Sequence, residues 1–393
     1  MAAVDQTSGR VSAARPGRRP RVLLLIKCLG YGGAEQLMVD VTAHRHRDLF
    51  DYEVAYVLAA EDALVPFVAA TGVVVHALGA TGNADVRWML ALRRLLLTGD
   101  FDLVHFHLPY AAALGRLVAW SLPRRRRPVL VYTEHSMWEK TAPVVRYLNR
   151  IGIGFDDGLI AVSDAVRNAL PPALRHRATV VVHGMDLTRA SQLNAERAEV
   201  RREVRRELRI ADDEILALAV ANLRPEKGYD VLLEAARLVV ASGASVRFAA
   251  VGRGPQSAEI TAQRDALGLD GRFLLLGQRS DALRLMAGAD IFVLASHYEG
   301  LPVALMEATS VGLPIVTTSV GEIPNILVDG VDALIVPPGR PHALADAVDR
   351  LAADGELRER LSAGALARSD LFDITRAVAR IESLYTALLE GAA

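Results

Sequence analysis

The chain has 393 residues, 51% of them hydrophobic and 5% aromatic, with a formal charge of −1. That length exceeds one ordinary core and predicts two or three domains whose interiors are built from Ala, Val and Leu, as suits sheets covered by helices. The balanced charge excludes a dedicated nucleic-acid binder, and the single cysteine, Cys28, excludes an internal disulfide and fits a reducing, cytoplasmic compartment.

Residues 1–20, rich in Ala, Arg, Pro and Ser, predict a disordered lead-in. Arg18-Arg19 ahead of Val22–Ile26 resembles a twin-arginine export signal, but the apolar stretch is short and Lys27 interrupts it, so a first strand is expected instead. Cys28 sits in this apolar run and reads as a buried residue rather than a reactive thiol. No run reaches the ~18 apolar residues of a membrane span. From residue 21 onward, β-rich runs alternate with helical patterns: strands at Val22–Ile26, Val54–Leu58, Val73–Leu78, Leu103–His107, Val129–Tyr132, Leu159–Val162 and Thr179–Val182. Continuous apolar strands separated by helices mean a parallel sheet covered on both faces, with its ligand site at the strand carboxyl ends.

Between Leu187 and Ile210 the composition shifts to Arg, Glu and Ala, which predicts a surface helix acting as a hinge. The alternation then restarts, with strands at Ile215–Ala221, Val246–Val251, Phe273–Leu276, Ile291–Leu294, Ile315–Thr317 and Leu334–Val336. The expected organisation is therefore α/β, with two doubly wound Rossmann-like domains over 21–186 and 211–372 facing each other across a cleft, joined by 187–210. A last helix near Thr375–Glu390 has no strand to follow it, and 373–393 is expected to return to the first domain.

The chemistry-bearing residues follow strands. After Ile291–Leu294 comes His297-Tyr298-Glu299-Gly300-Leu301-Pro302-Val303-Ala304-Leu305-Met306-Glu307. Glu299 falls in a strand-to-helix loop. Pro302 is expected as the first helical residue, and the helix amino end offers N–H groups to an anion. Glu307 lies among apolar helix residues, where a carboxylate is costly without a partner, and a ribose diol would supply two hydroxyls. After Ile215–Ala221, Arg224 and Lys227 project from a loop and suit the charge that develops on a departing nucleoside diphosphate.

In the first half, Gly30-Tyr31-Gly32-Gly33-Ala34-Glu35 opens a helix after a strand, a place where a backbone approaches phosphate. It lacks the third-glycine spacing of the dinucleotide fingerprint, which disfavours a reductase. A Gly252-Arg253-Gly254-Pro255 turn follows another strand. His105, His107 and His135 end two further strands and are candidates to touch a substrate. No His/Glu or Cys/His spacing suggests zinc, and Asp100-Phe101-Asp102, a DxD triplet, reads as structural. Arg124-Arg125-Arg126-Arg127 reads as a solvated loop, with peripheral contact to anionic lipid at the inner membrane face as the alternative.

These motifs resemble glycosyltransferase family 4, the retaining group with the GT-B double-Rossmann fold, over roughly Val22 to the C-terminus. The E-x7-E spacing of Glu299 and Glu307 is the most specific element. The resemblance implies an acceptor-side first domain and a second domain that binds the nucleotide-sugar donor. Glu299 would hold donor-sugar hydroxyls and Glu307 the ribose. Arg224 and Lys227 would grip the diphosphate, beside the backbone of Gly300, Leu301 and Pro302. Gly32 and Gly33 would approach the donor phosphate, His135 would lie by the transferred sugar, and Gln278 and Arg279 near the base. It further implies retaining hexosyl transfer from a UDP- or GDP-sugar to a hydroxyl acceptor (a glycan, a lipid-linked sugar or a small molecule), with neither metal nor cofactor. His183-Gly184-Met185-Asp186 and Gly321-Glu322-Ile323-Pro324-Asn325 depart from common family patterns, and both are expected to lie away from the donor clamp. The alternatives are an epimerase or phosphorylase on the same fold, or a non-catalytic nucleotide-sugar-binding subunit.

Overall fold

The computed structural model describes residues 18–30, 32–135 and 143–391, so residues 1–17 of the expected lead-in, with Tyr31 and Ser136, lie outside the described residues. Two compact units divide the chain: residues 1–184 together with 374–393, and residues 185–373.

The first unit holds a seven-stranded parallel sheet: β1 (Arg21–Ile26), β2 (Asp51–Leu58), β3 (Val74–Ala80), β4 (Leu103–His107), β5 (Val129–Glu134), β6 (Gly158–Ala161) and β7 (Ala178–Val180). Their spatial order is β3-β2-β1-β4-β5-β6-β7. The order reverses direction beside β1, which pairs with β2 and β4 in the registers Leu24↔Val54 and Leu24↔His105. Side chains alternate across a strand, so β1 feeds two cores. Leu23 and Leu25 join Trp88, Leu92 and Ala112 on one face. Val22, Leu24 and Ile26 join Met38, Val41 and Val378 on the other. Each such fully buried side chain contributes roughly 1.5–3 kcal/mol.

The second face is completed by the helix Ile374–Gly391. Its buried Ile374, Val378, Ile381, Tyr385 and Leu389 recur at helical spacing and form one apolar stripe. Two polar groups ride on the same stripe. Buried Glu382 accepts hydrogen bonds from the Tyr52 hydroxyl at 3.0 Å and the His46 backbone N–H at 3.2 Å, and the His46 ring lies 2.5 Å away. The Tyr385 hydroxyl meets His105 Nδ1 at 2.5 Å.

The second unit is a six-stranded parallel sheet of β8 (Ile215–Val220), β9 (Val246–Val251), β10 (Phe273–Leu275), β11 (Ile291–Leu294), β12 (Ile315–Thr318) and β13 (Leu334–Val336), in the order β10-β9-β8-β11-β12-β13. The segment 187–210, expected as a hinge, is instead built into this unit as helices Leu187–Ala195 and Arg197–Leu208. Val204 packs where Gly288 has no Cβ. Arg201 and Arg205 reach Asp290 at 2.8 and 3.0 Å, and Asp290 also accepts the Leu216 N–H at 2.9 Å. Two arginines of the predicted surface helix are thus held by one carboxylate at the foot of the sheet.

Other sequence readings also meet their physical partners. Cys28 is buried just past β1, with Sγ 3.3 Å from Glu35 Oε1, and burial pushes its thiol well up. Asp102 of the DxD triplet accepts the Arg21 N–H at 2.7 Å and pairs with Arg18 at 3.0 Å, so it ties strand starts together.

Beneath the helix Pro143–Gly152 lies a fully buried arginine, Arg116. Its guanidinium donates to Asp156 at 2.6–3.1 Å and to Asn149, and sits 4.8 Å over the Tyr132 ring. Burial raises the Asp156 carboxyl to about 6 against the opposing pull of Arg116. Removing one partner leaves the other charge buried and unpaired. Arg116→Leu is therefore expected to lower unfolding free energy by about 3–5 kcal/mol in urea titrations.

Candidate active site

In the second unit the loops after β8 and β11 are locked to each other through backbone. A short 3₁₀ turn, Pro225–Lys227, ends at Gly228, whose φ of +64° starts the helix Tyr229–Ala241. A Cβ at Gly228 would lie 2.2 Å from the Ala295 carbonyl oxygen, so only glycine lets the two loops approach. The His297 N–H donates to the Glu226 carbonyl at 2.9 Å across the same junction.

This lock brings charged side chains together. Lys227 Nζ lies 2.6 Å from Glu299 Oε1, and the buried Ser296 hydroxyl donates to the same oxygen at 2.7 Å. Both groups of the ion pair are largely shielded, which strengthens their attraction beyond that of a surface pair. Arg224, by contrast, is exposed and makes no ion pair among the described residues.

The loop around Gly321, expected to lie away from the clamp, touches it. A Cβ at Gly321 would fall 2.4 Å from the Glu299 carbonyl oxygen and 2.6 Å from that of Gly300. The Glu322 N–H donates to the Gly300 carbonyl at 3.0 Å. The contact arises because β11 and β12 are neighbours, so their following loops share one edge. Pro302 is the cap of the helix Val303–Ser310 rather than its first residue, since its ψ of 126° is extended. Leu301 and Gly300 are half-buried before it. Glu307 is half-buried on that helix between buried Met306 and Ala308.

Two expected positions follow β10. Gln278 is exposed. Arg279 spends its guanidinium on carboxylates, with Asp281 at 2.8 Å and Glu207 at 2.7 Å, and these bonds hold it firmly protonated.

In the first unit Gly32 caps the helix Gly33–His44 in extended backbone. The space beside its Cα is filled by the Glu35 carboxylate, where a Cβ would sit 2.2 Å from Oε2. Burial raises the Glu35 carboxyl above its usual range.

The histidines form a row. His105 is buried and uses both ring nitrogens, on Tyr385 and on Thr133 Oγ1 at 2.6 Å, so it is a core residue rather than a substrate contact. His107 Nδ1 lies 3.1 Å from His135 Nε2, and His135 Nδ1 lies 2.9 Å from His183 Nε2. Burial lowers the affinity of all four rings for protons, to about 3 for His105 and about 4 for His183, and well below the ordinary range for His107 and His135. A neutral ring has one N–H, so the two bonds of the row must run in the same direction. Among the described residues His107 Nε2 has no hydrogen-bond partner.

Ser296, Gly228, Gly321 and His183 belong to these arrangements without having been predicted. A serine ending an apolar strand and a glycine after a 3₁₀ turn carry weak signals by themselves. His183 becomes informative only once β5 and β7 are known to flank β6.

Two outcomes are expected from this geometry. Gly321→Ala combines crowding with a left-handed backbone, at about 1–2 kcal/mol for the backbone alone, and should lower turnover about tenfold. Gly271→Ala, with similar φ but open space, is the control that should lose stability only. Stability should also fall with acid. A histidine lowered from an ordinary 6.5 to about 4 leaves full stability above 6.5 and withdraws it as pH falls toward 4. His183→Asn should flatten that slope by about 1.4 kcal/mol per pH unit in denaturant titrations.

Known proteins share both the sequence and the architecture. The model of Glycosyltransferase Family 4 matches residues 31–189, and that of Glycosyl transferases group 1 matches residues 200–368. A D-inositol 3-phosphate glycosyltransferase of Xylanimonas cellulosilytica is 31% identical over 314 residues, 73% of this chain and 72% of that one. A phosphatidyl-myo-inositol mannosyltransferase of Mycobacterium leprae is 30% identical over 70% of each chain. An alpha-D-kanosaminyltransferase of Streptomyces kanamyceticus is 26% identical over 73% of this chain and 77% of its own. Among solved structures, Anabaena HepE in complex with UDP and glucose superposes with a TM-score of 0.81 at 22% identity, covering 94% of this chain and 100% of that one. Sucrose-phosphate synthase from Thermosynechococcus elongatus does so at 0.77 and 18%, over 94% and 100%. With two Rossmann-like domains and these matches along both, the chain belongs to the family 4 glycosyltransferases of the GT-B fold.

Proposed function

We propose that this glycosyltransferase moves a hexosyl group from a UDP- or GDP-sugar to an acceptor hydroxyl, with retention of configuration and without a metal ion. The observation that carries the reading is the Lys227–Glu299 pair at 2.6 Å, buttressed by Ser296 at 2.7 Å, at the carboxyl ends of β8 and β11. Ligands of doubly wound sheets bind at that end.

The donor's diphosphate gains charge as the glycosidic bond breaks, and fixed cations stabilise that change most. Lys227 is already held by backbone-locked loops, and exposed Arg224 is available to join it. Lys227 Nζ and Ser296 Oγ both donate to Glu299 Oε1, which supports a role for Oε2 in holding sugar hydroxyls. Glu307 is assigned to the ribose, and Gly300, Leu301 and Pro302 to the phosphate-facing backbone. In the first unit, His135 is assigned to the transferred sugar and the Gly32–Gly33 turn to the donor phosphate. A neutral imidazole suits the first role, because it can accept or donate one hydrogen bond without adding charge. The acceptor is a hydroxyl of a glycan, a glycolipid or a small molecule. Transfer with retention leaves the acceptor attacking from the face that the diphosphate departs, with its oxygens assisting deprotonation. Support for UDP comes from Anabaena HepE, solved with UDP, with UDP and glucose, and with UDP-glucose.

The test is nucleoside diphosphate release from UDP- and GDP-sugars, with and without EDTA. Release unaffected by EDTA and abolished in Glu307→Ala is expected. Lys227→Ala should cut turnover by about two to three orders of magnitude, as for other electrostatic stabilisers. Full turnover in that variant would overturn the clamp, and loss of release in EDTA would overturn metal independence.

A further inference from the structure

The helix Pro143–Gly152 is packed with its polarity reversed. Asn149 points inward, 1% exposed, where it bonds Arg116 and the Tyr132 hydroxyl. Val144, Tyr147 and Ile151 point outward, 72%, 65% and 52% exposed. Their spacing of three and four residues makes one continuous apolar ridge. Phe155, 54% exposed, extends the ridge and stacks edge-on against Trp120 at 5.2 Å. Soluble surfaces scatter such residues singly, so a contiguous strip marks an interaction site.

The surroundings of the ridge specify its partner. Trp120 leads into the exposed 3₁₀ turn Arg124–Arg126. Arg127 follows it and donates to the Leu122 and Trp120 carbonyls, while Arg126 donates to the Leu97 carbonyl and lies 3.6 Å from Asp100 at the rim. Arg124 and Arg125 make no ion pair among the described residues, and Arg150 is exposed on the ridge helix itself. No Asp or Glu occurs from Pro109 to Pro128 or from Pro143 to Phe155. An exposed apolar strip edged by arginine and aromatic residues is the signature of a helix lying in a lipid interface.

We infer that the face formed by Val144, Tyr147, Ile151 and Phe155 with Arg124 and Arg125 docks on an anionic lipid bilayer. The arginine turn and Phe155 lie at the amino-terminal ends of β5 and β6, opposite His135 at the carboxyl end of β5. The inference goes beyond the proposed transfer reaction and holds for any donor sugar.

The experiment is co-sedimentation of the full chain with vesicles of phosphatidylcholine alone or with about a third phosphatidylglycerol, enough to give a negative surface potential. Binding to the anionic vesicles only, weakened by salt, is expected. Arg124→Gln with Arg125→Gln should weaken it about 25-fold, at about fivefold per arginine. Tyr147→Ser with Ile151→Ser should abolish it without changing the melting temperature, because both side chains already face solvent. Absence of binding by the unaltered chain would overturn the inference, as would unchanged binding in both variants. So would concentration-dependent self-association removed by Tyr147→Ser and Ile151→Ser, which would assign the face to a second copy. Diphosphate release in solution, measured in parallel, reports on the transfer reaction alone and separates the two failures.

Discussion

Parallel strand pairing is the constraint from which the other features follow. A parallel strand cannot be joined to its neighbour by a tight turn, so each is followed by a loop and a crossover helix. All carboxyl ends therefore open on one edge of each sheet. In the second unit that edge gathers the loops after β8, β10, β11 and β12, bringing Lys227, Arg279, Glu299 and Gly321 to the same side. In the first unit it gathers the ends of β4, β5 and β7, and with them His107, His135 and His183. The same pairing buries the central strands on both faces, which is why β11 is apolar throughout and β1 from Val22 onward.

The two sites handle charge differently. In the second unit Lys227 and Glu299 are largely shielded and meet as an ion pair, so each offsets the other's desolvation. The first unit buries imidazoles, and that burial keeps them neutral. Neutral rings linked nitrogen to nitrogen share one direction of donation, so a proton shift at one ring obliges a shift at the next. Rigidity differs accordingly. The clamp is fixed by backbone contacts between loops, whereas the histidine row is fixed by side chains.

Much of this was legible in the sequence, and for physical reasons. Strands buried on both faces announce themselves as unbroken apolar runs, and Glu299, Arg224 and Lys227 stand out as charges placed just beyond such runs. What escaped depends on partners distant in sequence. Arg201 and Arg205 read as part of a surface helix because Asp290, which holds them, lies beyond three further strands. The Gly321 loop read as remote because its contact with Gly300 exists only when β11 and β12 are adjacent. Pro302 was assigned one position too far into its helix, since proline suits both the cap and the first turn. Buried Arg116 breaks an apolar helix visibly enough, but nothing local names Asp156 as its partner.

The helix Ile374–Gly391 has a bearing on how the protein is made. Synthesis runs from the amino-terminal side, and residues 185–373 form an uninterrupted unit that can close as soon as they emerge. The first unit cannot do so, although its sheet is translated earlier. Until Tyr385 and Glu382 arrive, His105, Tyr52 and His46 lack their partners, and the apolar face of Leu24 and Val41 stands open to water. The domain begun first is thus finished last. In the interval its exposed sheet face is the part of the nascent chain that a chaperone would hold.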